Sequence, residues 1–248
     1  VSFIITVYVP EAIVMASDSR QSITLQRQTP DGTKLQAVET VSSDFVYKTL
    51  LLPKQGVGIS TFGESILGKV TIESHIKRFQ EEKLGDRDDI FGVAQKLLDF
   101  SRKRFPNAST AFHIAGFKKE SGMSVPHVYH CQVSQNEIRR LNIKPGTDEV
   151  VYGTSWGGQA DVIAGILTPA QLTSPDGKMQ KVVKAPVVWE AMPIQDAIDF
   201  AIYAVRTTID TIRFQARPKN VGGPVDVLLL TPEKTSWIQR KEYRGETY

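Results

Sequence analysis

Phe3-Ile4-Ile5-Thr6-Val7-Tyr8-Val9-Pro10-Glu11-Ala12-Ile13-Val14-Met15-Ala16-Ser17-Asp18-Ser19-Arg20 is the stretch from which the rest of the chain is read. Its first half is apolar and rich in β-branched residues. Pro10-Glu11 turns the chain, and a second apolar run stops at the polar Ser17-Asp18-Ser19-Arg20. Two such runs around a short break are a β-hairpin signature.

Beyond the hairpin, residues 21–42 are polar, with Thr29-Pro30-Asp31-Gly32 a turn in a long hairpin or loop. Strands are predicted over 45–52 and 56–61, split by Pro53-Lys54-Gln55. Helical spacing then takes over at 64–82 (Ile66, Leu67, Val70, Ile76, Phe79) and 88–105 (Ile90, Val93, Leu97, Leu98). Asp88-Asp89 suits the second helix's N-terminus. Strands resume at 111–117, 125–133, 137–143 and 149–153, followed by a helix over 158–167. The longest helical signal runs over 193–215, and strands over 225–230 and 236–240 follow it. Strands and helices come in blocks and do not alternate strictly, which predicts an α+β layered fold. Nothing cuts the 248 residues into domains, so 1–248 reads as a single domain with an inserted surface loop at 168–186.

Composition narrows the functions. Hydrophobic content of 41% and charged content of 23% are ordinary for a globular protein. The 30 basic and 27 acidic residues leave a formal charge of +3, too little to argue for a nucleic-acid partner. Cys131 is the only cysteine, so an internal disulfide and a multi-cysteine zinc site are excluded. His130 adjoins it but points to the opposite face of a strand, as do His127 and His130 relative to each other. No metal and no cofactor are expected. No apolar run approaches the roughly 20 residues of a membrane span, and the chain reads as cytoplasmic.

Gly63-Glu64-Ser65-Ile66-Leu67-Gly68-Lys69 fits the simple form of a phosphate loop. Val70 stands where that motif needs a hydroxyl for magnesium, and Ile66 and Leu67 belong to an apolar face. A strand, a Gly63 turn and an amphipathic helix explain the same residues.

The hairpin, and within it the run from Ile13 to Arg20, resembles the start of a proteasome β subunit and of the bacterial proteasome-like peptidases. These are members of the N-terminal nucleophile (Ntn) hydrolases. The resemblance covers nearly the whole chain. It implies a four-layer αββα sandwich, two antiparallel sheets flanked by helices. It places Ser2 at the nucleophile position, counted back from Asp18, and Lys48 in Val46-Tyr47-Lys48-Thr49-Leu50-Leu51-Leu52 at the catalytic lysine. Ser60-Thr61-Phe62-Gly63 matches the junction whose backbone N–H binds the oxyanion. Val151-Tyr152-Gly153-Thr154-Ser155 resembles the Gly-Ser segment that brings a hydroxyl, from Thr154 or Ser155. The implied activity is hydrolysis of a peptide or other amide by a self-compartmentalising peptidase assembled as rings, with an ATP-driven unfoldase as a possible partner.

The residue types suit that chemistry. A serine hydroxyl needs a base, and a free α-amine, with a pKa of about 7.7–8.0, is one at working pH. A neighbouring Lys48 ammonium lowers that value further, and Asp18 keeps Lys48 charged and in place. The sequence departs from the family's pattern at Val1, which would acylate the Ser2 amine, and in using serine for threonine. It departs again at Pro218-Lys219-Asn220-Val221-Gly222-Gly223, which lacks the family's late aspartate and serine. These departures define the alternative expectation, an inert ring or scaffold subunit of the same fold.

Overall fold

The computed structural model describes residues 2–25, 37–168, 171–181, 184–243 and 245. Strands β1 (Phe3–Tyr8) and β2 (Ile13–Ser17) form the expected hairpin, with Ile4 opposite Ser17 and Tyr8 opposite Ile13. Every residue of both strands is buried, which explains a run with so little polar alternation. The polar stretch after it folds back on itself as β3 (Gln21–Leu25) and β4 (Val38–Ser43). The turn expected at Thr29-Pro30-Asp31-Gly32 lies outside the described residues, as does Val1.

Strand β5 (Thr49–Leu52) is shorter than the predicted 45–52, and β6 (Val57–Phe62) follows it. Residues 45–47 lie ahead of the ladder, where the Val46 N–H donates to Ser19 O at 3.0 Å. The helix predicted over 64–82 begins only at Ile72. Before it lies a small hairpin, β7 (Ile66–Leu67) and β8 (Val70–Thr71), turned at Gly68 with φ +65°. Over so short a window Ile66, Leu67 and Val70 satisfy helix and strand spacing alike. Helix α1 (Ile72–Lys83) starts where the Thr71 hydroxyl accepts the Ser74 N–H. A phosphate loop would need its helix to open at Gly68-Lys69; here that pair lies between two strands, and the reading fails.

Asp89 caps α2 (Ile90–Arg104) by accepting the Gly92 N–H at 2.8 Å. Then come β9 (Ala111–Glu120), β10 (Met123–Gln132) and β11 (Glu137–Arg140). The strand predicted over 149–153 is displaced. Strand β12 (Gly153–Gly158) pairs along all of β1, and α3 (Asp161–Leu167) starts three residues later than expected. Pairing with β1 overrides the low strand propensity of Gly-Thr-Ser-Trp-Gly-Gly. Within the predicted surface loop lies a hairpin of β13 (Gln171–Thr173) and β14 (Met179–Lys181). A 3-10 turn (Trp189–Ala191), helix α4 (Ile194–Phe214) and strands β15 (Asp226–Leu230) and β16 (Thr235–Gln239) complete the described elements.

Two antiparallel five-stranded sheets result, ordered β12-β1-β2-β15-β16 and β11-β10-β9-β6-β5. Apolar residues of β1 and β2, among them Ile5, Val7 and Val14, pack against Ala197, Ala201 and Val205 of α4. On the other sheet Ile59, Phe112 and Ile114 pack against Phe79, Val93 and Leu97 of α1 and α2. Ile13, Met15 and Leu228 meet Ala115 and Val128 in a smaller cluster between the sheets. Among the described residues, no helix is long and apolar enough to cross a membrane.

Two histidines are locked neutral inside this frame. Burial pushes His113, whose Nδ1 meets Thr6 Oγ1 at 3.1 Å, down to about 3, and His75, whose Nε2 meets Ser101 Oγ at 2.9 Å, down to about 4. The unfolded chain binds these protons at the ordinary value of 6.5, so their contribution is complete above that pH and lost progressively as pH falls below it. Thermal melts are expected to show Tm falling as pH drops from 6.5 toward 4. His113→Gln, which removes the buried imidazole, should flatten that decline; an unchanged slope in the variant would contradict the assignment.

Candidate active site

Asp18 organises the site. Antiparallel pairing carries the hairpin one step past β1 and β2, where the Asp18 N–H donates to Phe3 O at 3.2 Å. The Asp18 carboxylate then substitutes for main chain. Its Oδ1 accepts the Phe3 N–H at 2.8 Å and Lys48 Nζ at 2.7 Å. Its Oδ2 accepts the N–H of Arg20 at 3.1 Å and of Gly222 at 3.0 Å. A fully buried carboxylate with four donors is held firmly in position. Lys48, the residue just before β5, is only 2% exposed, and its side chain reaches inward to Asp18. Burial pulls the Lys48 ammonium below its ordinary range, and the Asp18 charge and hydrogen bond work against that pull.

Ser2 precedes β1 and lies almost wholly buried beside this pair. A cavity of about 390 Å³ is lined by Ser2, Lys48 and Gly63, with Arg20, Gln21 and Ser109 around them. Gly63 follows β6 at φ +93°, and a Cβ there would stand 2.0 Å from Ser109 O, so no side chain fits. The following loop is pinned. Thr110 Oγ1 donates to Glu64 O at 2.8 Å, Gln21 Nε2 to Ser65 Oγ at 2.8 Å, and Ile72 N–H to Ser65 O at 2.9 Å. Ser2, Lys48, Gly63 and, beneath them, Asp18 are thus brought together.

Thr154 and Ser155 are not. Ser155 lies opposite Thr6, four residues along β1 from Ser2, a separation of about 13 Å at strand rise. Its hydroxyl meets Tyr8 Oη at 3.1 Å, while Thr154 Oγ1 donates to Thr6 O at 3.1 Å. Thr154 lines a different cavity, of about 840 Å³, with Tyr8, Trp156, Trp189 and Phe200.

No protein-family model matches the sequence, and no curated protein matches it. Among solved structures the chain is similar to that of a mutant of Anbu from Hyphomicrobium sp. strain MC1. The TM-score is 0.60, with 13% sequence identity over 97% of this chain and 86% of that one. The two chains share a fold. At that identity the Anbu likeness fixes the course of the backbone alone, and the chemistry has to be argued from the residues present.

Read that way, the site holds residues the sequence did not single out. Gly158, at φ +87°, and Gln159 stand against Ser2, with the Gln159 N–H donating to Ser2 O at 2.8 Å. Gly222 supplies Asp18 with its fourth donor from the turn after α4. Arg20 forms a two-pronged ion pair with Asp44 (2.6 and 2.9 Å) and donates to Lys219 O at 3.0 Å, tying three segments around the cavity. The glycine doublets Gly157-Gly158 and Gly222-Gly223 were the available signals. Cys131 plays no part: it is buried in the second sheet, with its thiol pushed up to about 12.

Proposed function

We propose that this chain is an N-terminal nucleophile amidohydrolase, a peptidase of the proteasome-like kind, with the two sheets as the inner layers of an αββα sandwich and Ser2 as nucleophile. The observation that carries the reading is that Ser2, Lys48 and Gly63 line one cavity above a buried Asp18 that holds both Lys48 and the residue after Ser2. The fold shared with Anbu is compatible with it.

In this reading the competent form carries a free α-amine on Ser2, so Val1 has to be removed. The amine takes the hydroxyl proton as Ser2 Oγ bonds to the carbonyl carbon, and the carbonyl electron pair moves onto oxygen. The Gly63 N–H stabilises that oxyanion, a contribution of about 3–4 kcal/mol in comparable sites. Collapse breaks the carbon–nitrogen bond, the leaving amine takes the proton back, and water repeats the cycle on the acyl-enzyme. Lys48 lowers the amine's affinity for a proton, and Asp18 fixes Lys48. Thr154 and Ser155 have no step here. Assembly into rings and feeding by an ATP-driven unfoldase belong to the same proposal.

Incubation with a β-lactone should add one acyl group to Ser2, read by intact mass and peptide mapping, on protein whose N-terminal residue is Ser2. The adduct should be absent in Ser2→Ala. Labelling elsewhere, or none on protein with a proven free Ser2 amine, overturns the reading. It would leave the alternative of an inert ring or scaffold subunit with the same fold.

A further inference from the structure

A second lysine–aspartate pair is buried close to the first, and the chemistry above does not use it. Asp226 opens β15 opposite Ser17, the residue before Asp18, and is fully buried. Lys241, in the segment after β16, donates from its N–H to Asp226 Oδ1 at 2.9 Å and from Nζ to Oδ2. The same segment encloses Tyr47, the neighbour of Lys48. Tyr47 Oη donates to Lys241 O at 3.1 Å, and Lys241 Nζ lies 4.1 Å from the ring centroid. The Arg240 guanidinium lies 5.1 Å from the same centroid, and Tyr243 meets the ring edge-on at 5.7 Å. On its other side the backbone of Lys48 is held by the Thr61 N–H, which donates to Lys48 O at 2.8 Å.

We propose that Asp226 and Lys241 are a positioning pair for Lys48, through which the segment after β16 fixes the site's ammonium. As a stabiliser the pair is a poor choice, since desolvating two charges offsets most of their attraction and apolar residues would serve as well. Its place beside Tyr47 gives it a different use. Lys48 faces Asp18 just after β2, Asp44 before β5, and Lys241; Lys241 faces Asp226, Asp18, Arg240 and the Tyr47 ring. The Lys241 charge pushes the Lys48 ammonium down, while the Asp18 charge supports Lys241, so the two ammonium groups are linked.

This inference rests on Lys48 belonging to the proposed site, and its test separates the two claims. Lys48 is followed by the ¹³Cε resonance across pH, and Ser2 by β-lactone acylation resolved into binding and chemical steps. In the double variant Asp226→Asn/Lys241→Met, loss of the like charge should raise the Lys48 midpoint. The chemical step should slow by about tenfold because Lys48 is no longer held in place, with the binding constant unchanged. Lys241→Arg should restore both. In the wild type the Lys48 resonance should also register the titration of Lys241, a readout that needs no variant to fold. If wild-type Ser2 never acylates, the proposed function fails while the resonance still decides the pairing. A Lys48 titration indifferent to Lys241 in the wild type, or unchanged in a folded double variant, overturns the inference.

Discussion

Lys48→Met is expected to slow acylation of Ser2 by about a hundredfold or more, the scale of a lost acid–base group, and to destabilise the fold by about 3–5 kcal/mol. The second effect follows from what remains. Asp18 keeps the N–H groups of Phe3, Arg20 and Gly222 but loses the cation bonded to it, while the carboxylate itself stays fully buried. Urea denaturation should show the loss as a lower midpoint at an unchanged slope. Adding Asp18→Asn removes the stranded charge but turns an amide N–H₂ toward one of those three donors, so only part of the stability returns. Acylation should not return at all, and this separates chemistry from folding. Wild-type labelling in Lys48→Met would remove Lys48 from the mechanism.

Gly158→Ala should be nearly as damaging to activity, although it adds a single methyl group. The new Cβ would stand 1.8 Å from Ser2 O, so the Ser2 carbonyl has to retreat by roughly 1.5 Å to reach an ordinary contact. That carbonyl is what the Gln159 N–H fixes, and the nucleophile's own backbone moves with it. Misplacing a reacting group by an ångström costs about a hundredfold in rate. The φ of +87° adds strain for any L side chain. Gly165 is the control: it lies inside α3 with nothing within 4 Å of an added Cβ. Gly165→Ala should therefore leave acylation intact and raise stability by about 0.5–1 kcal/mol. Equal acylation rates for the two variants would show that Ser2 is not positioned by the Gly158 turn.

What the sequence disclosed depended on how local each signal was. The β1–β2 hairpin, Asp18 at its end and Gly63 after β6 were legible because each sits at a change of pattern within one element. Lys48 was placed through the likeness of residues 46–52 to the family's lysine-bearing strand, and the Val46 bond to Ser19 just before it was not visible. Thr154 and Ser155 were misplaced because β12 has almost no strand character of its own. Only pairing with β1 makes it a strand, and that pairing puts Gly158, not Thr154 or Ser155, beside Ser2. The helix predicted from residue 64 failed for a related reason, since three apolar residues at short spacing serve a hairpin equally well. The Gly222 donor to Asp18 spans 204 residues of sequence, and the Arg20–Asp44 pair joins two loops. No periodicity encodes contacts of that kind.

The convergence on Asp18 also has a consequence in time. Its carboxylate gathers groups from residues 3, 20, 48 and 222, and the last of these closes a loop across most of the chain. Contacts so far apart in sequence form late in folding. While the protein is being synthesised, Ser2 and Lys48 leave the ribosome long before the turn at Gly222 does. A nascent chain therefore carries its serine in an unfinished setting. On the proposed function, chemistry at Ser2 would wait until the turn at Gly222 has reached Asp18, and a half-made molecule would have no competent nucleophile to turn on its neighbours.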